Sequence, residues 1–460
     1  MHSSVSVAAV LLVCGGSGCP LNPGSSGVPV IDLAVGDSGS GFFLKGDAEV
    51  PPFASPKMLL YFDVLSGDNQ QDPDVVLDAV DVPSIARPIS TVLTEDDLYV
   101  AGDDSWVVSI WRDYRSLADK GDGALAPDVE LTGLETLAYP HQIIVSSNRL
   151  FVLNRNPFID GGKGKNGFTY GVHVFFDAAG ITEDRAPDRV FADAIDPMGM
   201  AVDGDDLYVA DSLGGRVLIY RDIDEELLPP KALLAYDAEL AGPSWAYLDD
   251  DGPLLPLRVD VFDNTLYVTT ASNFLFVFDS ADTLVSLAEP SAVIAESNGA
   301  LATPWGAEAV GNRLFVGNLN TYAMPVPFKG VVPGLSGEAT IGMVGFDGAP
   351  DLAIGQQPSV VFDASNAQVP AVRDMSVEED VLFAATAVPG SAVLFDYDNK
   401  AAETRPVPFF ASYYAVGDVH IYTKADHILF GRPGGIVLPA MKDFFGPLSI
   451  DTNRKLTGSN

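Results

Sequence analysis

Metal binding and nucleophilic catalysis need few residue types, so they can be searched for directly. Zinc is held by Cys thiolates and His rings, usually three or four together. The chain has 2 Cys, Cys14 and Cys19, and 5 His, at positions 2, 141, 173, 420 and 427. Both cysteines stand near the start, so no disulfide framework, thiol nucleophile or Cys-based zinc site follows. Gly36-Asp37-Ser38-Gly39 imitates a serine-nucleophile motif without the His and Asp context that activates a hydroxyl. Gly161-Gly-Lys-Gly-Lys-Asn-Gly167 lacks the closing Lys-Ser/Thr of a phosphate loop and reads as a flexible, locally basic loop. Three acidic clusters, Glu95-Asp96-Asp97, Asp203-Gly-Asp-Asp206 and Asp249-Asp250-Asp251, have no EF-hand spacing. The first two recur at one place in a repeat and read as turn formers, and the third reads as a solvated run.

The elements that would position any site follow from composition and repetition. The 460 residues carry 26 Lys+Arg against 63 Asp+Glu, a net charge of −37, which repels phosphate backbones and excludes a nucleic-acid partner. With 47% apolar and 19% charged residues, the chain has the makings of a large core. Six segments begin with Pro88, Pro140, Pro197, Pro256, Pro304 and Pro370 and lead to a Leu-aromatic-Val or similar triplet. The proline-to-triplet distance is ten residues in five (88→98, 140→150, 197→207, 256→266, 304→314) and eleven in the sixth (370→381). Each segment reads as a loosely alternating strand, an Asp/Asn/Gly turn and a second strand. A third strand follows and ends at an Asp (Asp113, Asp177, Asp222, Asp279, Asp347, Asp396), where an Asx-turn is expected. A fourth begins at a Pro, which suits an outermost strand because proline has no N–H to donate.

Four strands per unit, repeated radially, predict an all-β chain and a seven-bladed β-propeller of four-stranded blades closed by N- and C-terminal strands. The split blade would take KMLLYFD and PDVVL from the N-terminal part and DVHIYTKADHILF, with HILF as second strand, from the C-terminal part. GGIVLPAM and Phe42-Phe43-Leu44 also resemble strands, so six and eight blades stay open as counts. The expected divisions are a leader at 1–19, a tether at 20–40, the propeller at 41–445 and a C-terminal tail at 446–460. In the leader, the short apolar run Val5 to Val13 fits an export signal. Ser17-Gly18-Cys19 resembles the end of a bacterial lipobox, which implies lipidation of Cys19.

The unit PMGMAVDGDDLYVADSLGGRVLIYRD, residues 197–222, resembles the NHL-repeat family, and Pro304-Trp-Gly with RLFVGN resembles it more distantly. By repetition the resemblance covers about residues 57 to 440. It implies a propeller and no single activity, since members range from protein-binding modules to lyases. The lyase branch holds zinc on several channel histidines. Here His141 takes a channel position, one of His420 and His427 is a second candidate, and His173 lies on a third strand. Lactonase-like propellers hold calcium on channel carboxylates, which implies Glu308 and Asp260, with Asp374 as a further acid.

First strands line the channel, so the residues after each proline stand near its mouth: Ile89, His141, Met198, Leu257 with Arg258, Trp305 and Ala371. Two second-to-third-strand connections are enlarged, since 150→177 spans 27 residues and 314→347 spans 33 where 98→113 and 207→222 span 15. With Gly242–Pro253, which carries Trp245, these loops converge on one face. His141, Arg258, Trp305 and Trp245 are therefore the expected ligand-binding residues, and Glu308 and Asp260 the expected metal ligands. The reading is an exported, lipid-anchored binding scaffold for an envelope protein or glycan, non-catalytic, monomeric, without a cofactor and touching a membrane only through its anchor. It would lie in the periplasm, outer membrane or cell surface of a bacterium. The alternative is a calcium- or zinc-dependent lactonase- or lyase-like enzyme acting at the channel mouth.

Overall fold

The computed structural model describes residues 32–37, 57–62, 73–86, 88–102, 105–120, 125–155, 170–224, 230–233, 255–271, 273–295, 301–318, 341–363, 372–378, 381–387, 390–396, 407–412, 416–424, 427–429, 431–432, 448–450 and 456–458. The first strands are β1 (Asp32–Asp37), β2 (Lys57–Tyr61) and β3 (Val75–Asp78). Sets of four follow. They are β4–β7 (Pro88–Leu93, Asp97–Gly102, Val107–Arg112, Val129–Leu131) and β8–β11 (Pro140–Ser146, Arg149–Asn154, Gly171–Phe176, Arg189–Phe191). Next come β12–β15 (Pro197–Asp203, Asp206–Asp211, Arg216–Tyr220, Lys231–Leu233) and β16–β19 (Pro256–Phe262, Thr265–Thr270, Phe274–Asp279, Ala292–Ala295). Then come β20–β23 (Pro304–Val310, Arg313–Asn318, Ile341–Asp347, Val360–Asp363) and β24–β27 (Val372–Glu378, Val381–Ala387, Gly390–Asp396, Val407–Ser412). β28 (Val416–Lys424), β29 (His427–Leu429), β30 (Gly431–Arg432) and the hairpin β31–β32 (Leu448–Ile450, Leu456–Gly458) complete the described chain.

Each set of four is one antiparallel sheet with its strands in chain order, so the described residues form a nearly all-β, propeller-like fold. Turn chemistry explains the hairpins. Ser147 and Asn148 join β8 to β9, and Asp263 and Asn264 join β16 to β17, all four at positive φ. Two left-handed residues make the hairpin turn whose twist matches its strands, and Asn and Asp tolerate that conformation. Third strands end differently from expectation. Asp113, Asp177 and Asp222 are themselves left-handed, and neither Asp113 nor Asp177 makes a side-chain cap to the 3-10 turn that follows it. The reversal rests on backbone conformation there, so the expected Asx-turn is corrected at both positions. Fourth strands open on a polar residue after the proline that ties back to the third. Asp74, Asp128 and Asp188 accept the backbone N–H of Phe62, Arg112 and Phe176.

Second strands are buried on both faces: β5, β9 and β17 are buried along their whole length. The cause is packing of each sheet against its neighbours. One apolar cluster joins β8–β11 to β12–β15 through Ile144, Phe151, Met200 and Val209, and another joins β12–β15 to β16–β19 through Tyr208, Ala210, Val259 and Val268. Met58, Leu60 and Leu77 likewise pack with Leu98, Val100 and Trp111. First strands are buried on both sides for the same reason, so the expected alternation is weak: β4 is buried throughout.

The remaining sheet has the order β29-β28-β1-β30-β2-β3 and combines both ends of the chain. Val35 pairs with Val419 and with Leu59. β1 thus occupies the place expected of His427–Leu429, and β29 pairs with the opposite side of β28. β1 lies inside the stretch read as a tether. Phe42-Phe43-Leu44 and GGIVLPAM fall outside the described residues.

Candidate functional site

Five first strands depart from regular pairing just after their proline. The register shifts between Pro88 and Ser90, Pro140 and Gln142, Pro197 and Gly199, Pro256 and Arg258, and Pro304 and Gly306. The skipped residues are Ile89, His141, Met198, Leu257 and Trp305. A bulge frees a residue from the ladder and re-aims its side chain, a device common beside binding sites. In the sixth unit the shift lies between Val372 and Asp374. Val372 therefore takes the proline register and Arg373 is the skipped residue, while Ala371 lies outside the described residues. The extra residue in that unit's proline-to-triplet spacing had concealed this.

Trp305 is buried under Arg258, whose guanidinium carbon lies 5.8 Å from the ring centroid. Its Nε1–H is buried and has no acceptor, and Thr269 Oγ1 donates to its carbonyl at 3.4 Å. Asp260 and Glu308 are 4% and 9% exposed. They pair with Tyr267 and Phe315, so they hold equivalent register positions on neighbouring first strands, β16 and β20. Burial, with the charge of Asp260 next, pushes the Tyr267 phenol above its usual range. His141 is buried on β8 and stacks on Tyr139 with ring centroids 6.2 Å apart. Sequence-predicted Arg258 and Trp305 therefore meet. Trp245, Cys19 and both enlarged loops lie outside those residues. Among the described residues no three His, Cys, Asp or Glu side chains gather as a metal cluster.

Many other polar groups near the proline ends are spoken for by the repeat. Gln142 bridges to the next first strand, donating to the Met200 carbonyl (3.2 Å) and accepting its N–H (2.8 Å). Gly199 permits the same close approach further on, since a Cβ there would lie 2.8 Å from the Leu257 carbonyl oxygen. The last residue of a second strand holds the chain that enters the first. Asn154 Oδ1 accepts from Ala138 N and Tyr139 N, and Asn318 Oδ1 from Ala302 N. Asp211, fully buried, accepts from Ile195 N and Asp196 N (both 2.9 Å), from Gly214 N (3.3 Å) and from Arg216 Nε (2.9 Å).

Sequence reasoning missed a clasp at the opposite strand ends. Arg112 binds the Asp97 carboxylate and reaches the carbonyls of Ala178 and Ile181 in the next unit. Arg221 likewise binds Asp206 and reaches the Ala281 carbonyl at 2.6 Å. Tyr99, Tyr208 and Tyr267 donate to the carbonyls of Ala178, Ala281 and Ala349. Burial raises the Asp97 and Asp206 carboxyls despite their arginines, and pushes the Tyr99 and Tyr208 phenols up to about 12. The signal was visible as Asp-Leu-Tyr on a second strand with Arg-Asp closing the third.

No protein-family model and no curated protein matches the sequence. Among solved structures, the chain is similar to a protein of Bacteroides uniformis assigned as a 6-phosphogluconolactonase, at 13% identity and TM-score 0.49 over 85% of this chain and 99% of that one. It is similar to one of Bacteroides fragilis with the same assignment at 12% identity and TM-score 0.49, over 85% and 98% of the two chains. The computationally designed protein Ika8 matches at 8% identity and TM-score 0.40, over 67% and 71%.

Proposed function

We propose that the chain is an exported, lipid-anchored, seven-bladed propeller that binds an envelope protein or glycan at the proline-side mouth of its channel, without chemistry of its own. The ring is supported by the order of first strands: β4, β8, β12, β16, β20, β24 and β28 each lie against the next, and β28 lies against β4. The sheet that brings β28 together with β1, β2 and β3 supports a seventh blade built from both ends of the chain. The apolar Val5 to Val13 run and Ser17-Gly18-Cys19 support export and anchoring.

The observation that carries the binding role is Trp305. A bulge places its ring beneath Arg258 and leaves a buried N–H unanswered, next to first strands that bear buried Asp260 and Glu308. Aromatic surface with a few convergent polar groups is the common make-up of a site for a small polar ligand. Trp305→Phe keeps an aromatic ring, though a smaller one, and removes the N–H. We expect it to weaken binding to glycan fragments presented on an array about tenfold while the variant stays folded, with a Tm lowered by the smaller buried ring. An array on which the parent and Trp305→Phe bind alike removes the mouth as the site. A second reading, a calcium-dependent enzyme, is favoured by the equivalent positions of Asp260 and Glu308. In that case calcium raises the parent Tm, and Asp260→Asn with Glu308→Gln abolishes the rise.

A further inference from the structure

Trp106 stands in the β5–β6 turn, immediately before β6, at φ 62° and with 47% of its surface exposed. The residues immediately before β14 and β18 are Gly215 and Asn273, both also at φ 62°. Glycine has no Cβ to crowd its carbonyl in this conformation, and Asn tolerates it; a large aromatic residue does so at a cost. The backbone at this position therefore favours Gly or Asn over tryptophan. The turn is nevertheless well held: Trp106 N donates to Gly102 O at 3.0 Å, and Ser105 Oγ bonds to Ser84 O at 2.6 Å. Strain kept at an exposed aromatic residue points to function, and rigid tryptophans are the usual anchors of protein interfaces.

Leu134 repeats the pattern at φ 52° and 59% exposure. Val108 pairs with Leu131, so Trp106 and Leu134 leave the same end of the β6–β7 ladder. Ile195 and Leu213, both exposed, lie on either side of Asp211 at the corresponding strand ends of β12–β15. Carboxylates interleave with these apolar residues in sequence: Asp103 and Asp104 before Trp106, Glu135 after Leu134 and Asp193 before Ile195. The net charge of −37 opposes a second copy of this chain as occupant.

We propose that this rim docks a basic, amphipathic protein segment with Trp106 as its anchor. The proposal rests on the reading of the chain as a binding scaffold and narrows its partner to a cationic protein. Apolar side chains of the segment cover Trp106 and Leu134, and its Lys and Arg answer Glu135 and the acidic surface. The test substitutes Trp106→Gly in the full chain and measures fluorescence anisotropy of a labelled Lys/Leu amphipathic peptide, with a Lys/Ser peptide of equal charge beside it. Trp106→Gly weakens the Lys/Leu peptide at least about tenfold while its Tm equals or exceeds the parent's, because glycine relieves the left-handed strain. Val285→Ser, at an exposed site in the β18–β19 connection, changes neither reading. The rim assignment is overturned if the parent binds both peptides alike, if Trp106→Gly binds within twofold of the parent, or if its Tm falls by several degrees. The glycan-array result at Trp305 is read separately, so the mouth and the rim can fail independently.

Discussion

Asp211→Ala tests whether the residues that close second strands are hydrogen-bonding keystones. The Asp211 carboxylate is fully buried and takes three backbone N–H groups on Oδ1 and the Arg216 guanidinium on Oδ2. Alanine leaves the N–H groups of Ile195, Asp196 and Gly214 without this acceptor, at about 1 kcal/mol or more each. The Arg216 pair adds less, about 0–1 kcal/mol, because that arginine is 31% exposed. The expected loss is therefore about 3–5 kcal/mol. The repeat supplies its own control, since Asn154 and Asn318 do the same work with an amide. Asp211→Asn keeps an oxygen for the backbone donors and turns an NH2 toward Arg216, for an expected loss of about 1–2 kcal/mol. Urea unfolding followed by circular dichroism measures both, with equal m-values required for the comparison. If the two variants lose the same stability, or if alanine costs under about 1 kcal/mol, the keystone reasoning is wrong.

Two further outcomes follow from the same geometry. Tyr99 and Tyr208 hold their protons up to about 12, against about 10 in the unfolded chain, so their contribution is intact below pH 10 and lost as pH rises from 10 to 12. A Tyr99→Phe, Tyr208→Phe double variant should lose about 1–2 kcal/mol at pH 8, with a smaller further decline by pH 11 than the parent in the same urea assay. Gly199→Ala places a Cβ against the backbone of Leu257 and Arg258, whereas Gly306→Ala, at the same register, meets nothing within 4 Å. The first should cost about 1–3 kcal/mol and the second stay within about 0.5 kcal/mol, as thermal unfolding will report.

Much of the fold is legible in the sequence because its signals are local. A proline at the start of five first strands, an Asn, Asp or Gly pair at the hairpin and a Leu-aromatic-Val triplet each specify backbone conformation within a few residues. Assigning the sheet that joins the two ends of the chain was harder. Asp32–Asp37 lies among Gly, Ser and Pro, which hid a strand whose partner is nearly four hundred residues away. The mouth was legible in part: the repeat pointed to Trp305 and Arg258, while the bulge that presents Trp305 follows from pairing that no single strand displays. The clasps of Tyr208 and Arg221 were missed because their acceptors are main-chain carbonyls of another unit, which carry no sequence signature. Trp106 passed unnoticed for a related reason. Its oddity appears only when its φ is set beside those of Gly215 and Asn273.

The pairing of Val35 with Val419 also bears on how the molecule is made, since the two partners stand 384 positions apart in the chain. Throughout synthesis the N-terminal strands β1 to β3 wait beside β4 with one long edge open, while each later sheet already has its predecessor to pack on. A nascent chain stopped short of β28 therefore presents an unfilled strand position to any extended polypeptide nearby. Trimming the C-terminus into β28 would remove more than one strand's worth of order, because the far end of the chain loses its partner at the same stroke.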